Sequence, residues 1–381
     1  MELRKIAGKP EDPKYYGIGS EQKSCNYGIE EAEFLRYVSA YWNKAENLDE
    51  FFLEFFWSAW GTDKGKGEST PESMERLMTT MAELMIKEPR AIAKITWDFS
   101  DWRDAAVLLD APSTVAFAQA CQKSLTHFKC FFKVSGQEKS QTCCRWLTAC
   151  LADCDQLEYL RLPELARLSE CASFLSRKSQ LKKLEYKNDA WGDADYADLF
   201  NGLSQLQRAK DEAGTDGRGA PSLCLEACGY TNPSFIRVAT GIEDLSLPMI
   251  TKLQMSPLVL RRELPQEAYE GLWRVLPNLE VFIDLLSLDS DEMVPVQVQV
   301  LLRSFLQAYE RKKGDRRLAI QCLLEDVREG EEWEWAGFGV ALEREPTIDR
   351  STELDQLEEG DVIMEFRSGN ATVQFLRTFE F

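Results

Sequence analysis

Residues 154–165 read CDQLEYLRLPEL, and within them Leu157, Leu160 and Leu162 form the pattern L-x-x-L-x-L. Side chains on a strand alternate between two faces, so the fourth and sixth positions of this pattern point the same way. The pattern is typical of the strand segment of a leucine-rich repeat, in which a single unit buries its apolar face only by stacking on a neighbour. This stretch therefore predicts one strand of a larger stack.

The same pattern recurs along the chain. It begins at positions 92, 125, 157, 181, 206, 242, 279 and 315, and the units at 206, 279 and 315 are degenerate. Two of the seven steps, of 24 and 25 residues, fall within the repeat period of roughly 20–29 residues. The other five are longer and require longer helices or inserted loops. One match is common in any Leu-rich chain, so it is the succession that favours a repeat fold.

Helical periodicity precedes several of these units. One predicted helix face comes before the unit at 157 and consists of Trp146, Leu147, Cys150, Leu151 and Cys154. A second comes before the unit at 279 and consists of Leu272, Val275 and Leu276, and a third lies within 298–306. Helix followed by a turn and a strand predicts an α/β leucine-rich-repeat solenoid, with parallel strands on a concave face and helices outside.

The composition divides the chain into three predicted segments. Residues 1–89 are expected to form an irregular arm followed by a helical cap, with a helix start at Thr70 and Pro71. Residues 90–325 hold the repeats, with a Gly-rich loop at 211–222 that leads to a short extra strand at 223–225. Residues 326–381 begin with an acidic segment. They end in alternating apolar positions around a turn at 368–370, which predicts a β-hairpin that caps the solenoid.

Charge and cysteine content restrict the class of protein. The net charge is −19, which argues against nucleic-acid or anionic-membrane binding because the mean field repels phosphate. The chain begins without an apolar signal region, and no apolar run reaches the roughly 20 residues of a membrane span. A cytoplasmic location is therefore expected, with the nucleus left open. In a reducing compartment the eleven cysteines, which include no Cys-x-x-Cys pair, are interpreted as buried small hydrophobic residues.

The stretches 154–165 and 276–284 (LPNLEVFID) resemble ribonuclease-inhibitor-like leucine-rich repeats, and most of all those of the divergent F-box proteins of filamentous fungi. The resemblance covers about residues 90–325. It implies repeats that hold a protein substrate and an N-terminal F-box that joins a ubiquitin ligase. The N-terminal segment departs from that family because no Leu-Pro-x-Glu helix start is present, and the stretch 48–52 is a poor substitute. An F-box-like substrate adaptor that binds a ubiquitin-ligase adaptor is therefore an alternative function.

Catalytic motifs are absent from the sequence. There is no phosphate loop, dinucleotide fingerprint or nucleophile elbow, and the single histidine, His127, excludes multi-histidine metal sites. Cys130 lies three residues further on, so on a strand it points to the opposite face from His127. The acidic clusters at 193–195 and 289–292 are interpreted as solvated loops rather than cation sites. We expect no enzyme, no cofactor and no metal; a divergent hydrolase with a Cys or an Asp pair is the alternative from another class.

The third and fifth positions of each unit point away from the core and would line the concave face. In the first five units these positions carry six Lys or Arg residues and one acid. The predicted partner-binding residues are Lys94, Lys129, Tyr159, Arg161, Lys183, Arg208 and Lys210. We expect them to bind an acidic or phosphorylated protein segment, with Tyr159 as an aromatic anchor. The alternative is that these basic residues neutralise the acidic helices of neighbouring units.

Overall fold

The strands coincide with the predicted units in the first half of the chain. The computed structural model describes residues 2–4, 17–19, 79–80, 82–84, 86–87, 92–98, 112–131, 133–134, 137–165, 172–187, 191–214, 221–230, 234–256, 266–286, 317–325, 347–349, 361–368 and 370–378. The chain forms two compact units. Unit 1 comprises Met1–Ala190 and Asn201–Pro221, and unit 2 comprises Trp191–Phe200 and Ser222–Phe381.

Unit 1 repeats an alternation of strand and helix. Its strands are β1 (Glu2–Arg4), β2 (Gly17–Gly19), β3 (Lys94–Asp98), β4 (His127–Phe131), β5 (Lys133–Val134), β6 (Tyr159–Arg161), β7 (Glu164–Leu165) and β8 (Lys183–Lys187). Its helices are α1 (Pro112–Ala120), α2 (Gln137–Leu151), α3 (Ala172–Leu175) and the larger part of α4 (Asp193–Gly214). Strands β3, β4, β6 and β8 pair in that order, all parallel, and within the described residues a helix lies between each of these strands and the next.

The apolar positions of the predicted pattern form the core of unit 1. The residues at the first and fourth positions of the units at 92, 125, 157 and 181 are fully buried: Ile92, Ile95, Leu125, Phe128, Leu157, Leu160, Leu181 and Leu184. The predicted helix face from Trp146 to Cys154 is buried as well, and the Trp146 indole N–H donates to the Thr114 hydroxyl of α1 at 3.0 Å. The strands predicted for these four units are therefore confirmed, as is the helix that precedes the third.

Unit 2 also contains alternating strands and helices, and it ends in an antiparallel hairpin. Its strands are β9 (Leu223–Tyr230), β10 (Ile250–Ser256), β11 (Val281–Leu286), β12 (Leu318–Glu325), β13 (Ile348–Asp349), β14 (Val362–Ser368) and β15 (Ala371–Thr378). Its helices are the first turns of α4 with α5 (Ser234–Gly241) and α6 (Gln266–Val275). Strands β9 to β12 are parallel, β15 adds in parallel to β12, and β14 returns antiparallel. The predicted hairpin is therefore confirmed.

Three of the predicted units are wrong in place or register. The unit at 206 lies inside α4, where Leu206 continues a buried helical series with Tyr196, Leu199 and Leu203. The unit at 242 ends before its strand, because Leu245 and Leu247 are buried in a turn and β10 begins only at Ile250. The unit at 315 is out of register by two residues, since Phe282 pairs with Ile320 rather than with residue 318.

The remaining expectations for the fold are met in part. The described residues within 79–87 are helical, as predicted, whereas the short antiparallel pair of β1 and β2 lies in a segment predicted to be irregular. The predicted helix within 298–306 and the acidic cluster at 289–292 lie outside the described residues. Six of the seven cysteines whose burial the structure describes are buried, as predicted. No helix in the described part of the chain combines the length and apolar character that crossing a bilayer requires.

Basic side chains satisfy backbone carbonyls where helices end. Lys178 Nζ donates to the carbonyl oxygens of Leu151 and Ala152, at the end of α2. Arg274 of α6 does the same at the end of α5, with Nη2 of its guanidinium 2.9 Å from the Thr240 oxygen. The last carbonyl groups of a helix lack intrahelical partners, so such cations supply hydrogen bonds and a favourable charge at the negative end of the helix dipole.

Candidate functional site

The strand register of unit 1 aligns the predicted binding positions in two rows. Lys94, His127, Tyr159 and Lys183 form the first row, and Thr96, Lys129, Arg161 and Glu185 form the second. On β4 and β6 these side chains are half-buried, whereas the intervening Phe128, Cys130 and Leu160 are buried. We call the eight residues the polar rows. Five of the seven predicted binding residues lie in them.

Tyr159 is surrounded by the polar side chains of the adjacent strands. The Nζ atoms of Lys129 and Lys183 lie 4.7 and 5.1 Å from the centroid of its ring. The His127 ring meets it edge to face at 5.7 Å between centroids. Each ammonium is attracted to the negative face of the aromatic ring. Tyr159 therefore organises the two lysines, and its role as an aromatic anchor for a partner stays a prediction.

Glu185 is the buried centre of the polar rows. Its side chain is only 4 % exposed, and its carboxylate accepts hydrogen bonds from the Tyr159 hydroxyl and from Arg161 Nη1. Lys183 Nζ lies 3.8 Å from the same carboxylate. A buried carboxylate is costly unless it is paired and hydrogen-bonded, and these contacts meet that need. Part of the positive charge of the rows is thus neutralised by an acid on a strand of the same rows, not by an acidic helix of a neighbouring unit.

Arg161 is held on two sides. Its guanidinium carbon lies 3.9 Å from the centroid of the Phe131 ring, and Nη1 donates to Glu185. Its side chain is 24 % exposed. Among the described residues no other acceptor takes a hydrogen bond from this guanidinium, so its remaining N–H groups can reach an external anion. Phe131 is absent from the predicted binding residues, although it is the next outward-facing residue after Lys129 on the same strand.

Two predicted binding residues lie elsewhere, and their placement on a strand is wrong. Arg208 is exposed on α4. Lys210 is 2 % exposed, and its Nζ donates to the carbonyl oxygens of Ser179, Leu181 and Pro221 at 2.9, 2.7 and 2.8 Å. Burial lowers the pKa of Lys210 to about 8. Lys210 therefore holds the backbone of unit 1 together and is not at a binding surface.

One outward row of unit 2 carries mostly amides and acids, whereas the row beside it includes Lys252 and Arg367. The former row joins Glu226, Gln254, Ile283, Gln321, Gln374 and Glu365 through the strand register. Gln374 Nε2 donates to Glu365 at 2.9 Å, and Gln321 Nε2 donates to the Gln374 amide oxygen at 3.3 Å. The Gln374 amide and the Arg367 guanidinium hold the pKa of Glu365 below its ordinary value. The third and fifth positions of the unit at 242, Asp244 and Ser246, were expected to face outward on a strand but are not on one.

The acid pair at 193–195 is hydrogen-bonded, and most of the thiols whose burial the structure describes are shielded from solvent. Asp193 accepts a hydrogen bond from Arg237, and Asp195 accepts one from the Gly192 amide at the start of α4, so this pair does not form a solvated loop. Burial raises the pKa of the Cys154 thiol to about 11, and it raises the pKa of Cys130 and Cys150 well above the ordinary range. In the described part of the chain no three His, Cys, Asp or Glu residues converge on a point where a metal ion could bind.

No protein-family model matches this chain, and no curated protein is similar enough to it to assign a family.

Proposed function

We propose that this protein is a protein-interaction scaffold that binds an acidic segment of a partner protein on the polar rows of unit 1. The observation that carries the proposal is the charge of these rows. The rows contain one acid, Glu185, and four basic residues, Lys94, Lys129, Arg161 and Lys183, in a chain whose net charge is −19. A basic patch on an acidic molecule steers an acidic ligand to one place and repels it elsewhere.

The contacts within the rows support the proposal because they hold the cations in place before a ligand arrives. The Tyr159 ring positions two ammonium groups, and Glu185 with Phe131 positions the Arg161 guanidinium. Binding then loses less side-chain entropy than it would with freely rotating lysines. Since cation–π contacts at exposed sites contribute only about 0.5–1 kcal/mol, a carboxylate or phosphate can add to them or replace them.

We further propose that the repeated strand and helix units form a leucine-rich-repeat solenoid, with the polar rows on its concave face and the C-terminal hairpin as a cap. Hydrogen bonds between successive units support this proposal. The amide N–H groups of Thr126 and His127 both donate to the Ala93 oxygen, and those of Glu158 and Tyr159 both donate to the Thr126 oxygen. Units that repeat one connection stack as in a solenoid.

The test uses a fluorescein-labelled deca-glutamate peptide and fluorescence anisotropy at low and physiological salt. The informative variant is Lys129→Glu with Lys183→Glu, which retains Arg161 and Glu185 but removes the contact of Lys183 with Glu185. The control is Arg145→Glu with Arg208→Glu, since both arginines are exposed on helices of unit 1. We expect the first variant to lose at least about tenfold in affinity and the control to lose less than twofold.

Equal losses in the two variants would mean that the peptide senses only the overall charge, and the proposal would fail. Circular dichroism of each variant checks that the fold is retained. Affinity purification with mass spectrometry tests the alternative. Recovery of a ubiquitin-ligase adaptor whose binding survives Lys129→Glu with Lys183→Glu would support the F-box-like adaptor function through residues 1–89.

A further inference from the structure

We propose that the ligand of the polar rows is an extended acidic segment that crosses the strands and carries an acid at every second residue. This inference rests on the proposed function and adds the conformation and charge spacing of the partner. It follows from the distances between the basic residues of the rows.

The basic residues occupy four adjacent strands. Lys94 lies on β3 and Lys183 on β8, both in the first row, whereas Lys129 on β4 and Arg161 on β6 lie next to each other in the second row. Adjacent strands are about 4.8 Å apart, so the first and fourth strands are separated by about 14 Å. The cations therefore form a bent line across the strands, with one at each end in the first row and two at the centre in the second row, about 6.7 Å further along the strands.

An extended peptide matches this line. Its rise is about 3.3 Å per residue, and side chains on one face recur about every 6.7 Å, so residues i, i+2 and i+4 span about 13 Å. The first acid then lies beside Lys94, the second between Lys129 and Arg161, and the third beside Lys183. Three acids on one face of a helix, at i, i+4 and i+7, span only about 10 Å and leave one end of the line without a partner.

Glu185 restricts where the third acid can lie. Its carboxylate occupies the second row on β8 and accepts hydrogen bonds from Arg161 and from the Tyr159 hydroxyl. A ligand acid placed over that position would meet a like charge, whereas one placed in the first row meets Lys183. Repulsion between Glu185 and a ligand acid disfavours a segment whose third acid lies in the second row. Glu185 is therefore a specificity-determining residue that directs this acid to the first row.

The lysines keep other contacts in the absence of a ligand, and the proposal does not require them to be without partners. Lys183 is 34 % exposed, and its ammonium is shared between Glu185 and the Tyr159 ring. Glu185 keeps its hydrogen bonds from Tyr159 and Arg161 when a ligand carboxylate takes the place of its 3.8 Å contact with Lys183. Arg161 keeps its bond to Glu185 and offers its remaining N–H groups to the central acid.

The experiment compares three fluorescein-labelled peptides of one composition, each with three glutamates in a Gly-Ser background. The glutamates are placed at i, i+2 and i+4, at i, i+1 and i+2, or at i, i+4 and i+8. We expect the first peptide to bind at least about fivefold more tightly than the other two. The variant Lys94→Gln with Lys183→Gln should reduce this preference below twofold, whereas the charge-matched control Lys123→Gln with Lys182→Gln should retain it.

The outcomes separate this inference from the proposed function. Equal affinity for the three peptides would overturn the spacing and leave the acidic-partner function in place. If neither deca-glutamate nor any of these peptides binds, both proposals fail. A single-stranded oligouridylate with three phosphates that binds more tightly than the first peptide would show that the rows recognise nucleic acid, and the peptide ligand would be rejected.

Discussion

Lys210 and Arg208 lie two residues apart on α4, and replacing each by Met separates a structural role from a binding role. Lys210→Met removes the ammonium whose three hydrogen bonds join the backbone at Ser179, Leu181 and Pro221. Arg208→Met changes an exposed side chain of the same helix by the same charge. Both residues were predicted to bind a partner, but the structure gives only Lys210 a place in the interior.

The expected loss of stability follows from the groups that remain. Each buried carbonyl left without a donor costs about 1–3 kcal/mol, while loss of the buried ammonium removes its desolvation penalty. We expect a net loss of about 3 kcal/mol for Lys210→Met, and no more than about 0.5 kcal/mol for Arg208→Met because surface substitutions rarely exceed that value. Urea unfolding followed by circular dichroism measures both. With an m-value of about 2–3 kcal/mol/M, the urea concentration at the unfolding midpoint should be about 1 M lower for Lys210→Met than for wild type.

The pH dependence gives a second measurement of the same residue. Burial lowers the pKa of Lys210 to about 8 in the folded chain, against 10.5 for an ordinary lysine. Between these values the unfolded chain binds more protons, so the free energy of unfolding of the wild type rises with pH in this window relative to Lys210→Met. Equal stability of the Lys210→Met and Arg208→Met variants would refute the structural role of Lys210. A difference in the free energy of unfolding between wild type and Lys210→Met that stays constant from pH 8 to 10.5 would refute the lowered pKa.

Two further predictions concern packing and thiol chemistry. A Cβ on Gly271 would lie 2.5 Å from Cγ2 and 2.9 Å from Cβ of Thr240, so Gly271→Ala should cost about 1–3 kcal/mol by thermal unfolding. The loss should shrink in a Thr240→Gly background, and an unchanged loss would contradict close packing of α5 on α6. Six described cysteines are buried and Cys224 is half-buried. Under native conditions iodoacetamide should therefore label Cys224 at least about tenfold faster than these six, as measured by peptide mass spectrometry, and equal labelling rates would contradict their burial.

The elements that could be predicted are those whose pattern is local and strong. The strands at Leu125 and Leu157 follow from alternation over six residues, and the helix that ends near Leu151 follows from a face with a period of 3.6. The hairpin at 362–378 follows from two alternating runs around a turn. Each signal is contained in fewer than twenty consecutive residues, so no knowledge of distant contacts was needed.

The errors arose where one pattern suits two structures. Leu206, Ala209 and Asp211 match the strand template loosely, but Leu206 also continues the helical series of Leu199 and Leu203, and packing of that face chose the helix. Leu245 and Leu247 are buried as predicted, but in a turn before β10. Burial of an apolar residue does not by itself distinguish a strand from the turn that leads into it.

The sequence by itself determined that outward positions of the first units carry basic residues, because alternation along a strand is a property of the backbone. The sequence could not determine which of these side chains contact each other. That depended on the register of β4, β6 and β8, which brings Tyr159 and Arg161 to Glu185. The tertiary structure also placed Lys210 inside and Arg208 outside, although they are two residues apart on one helix. Burial and pairing depend on residues that are distant in the chain, so only the packed structure decided how the charge of this surface is arranged.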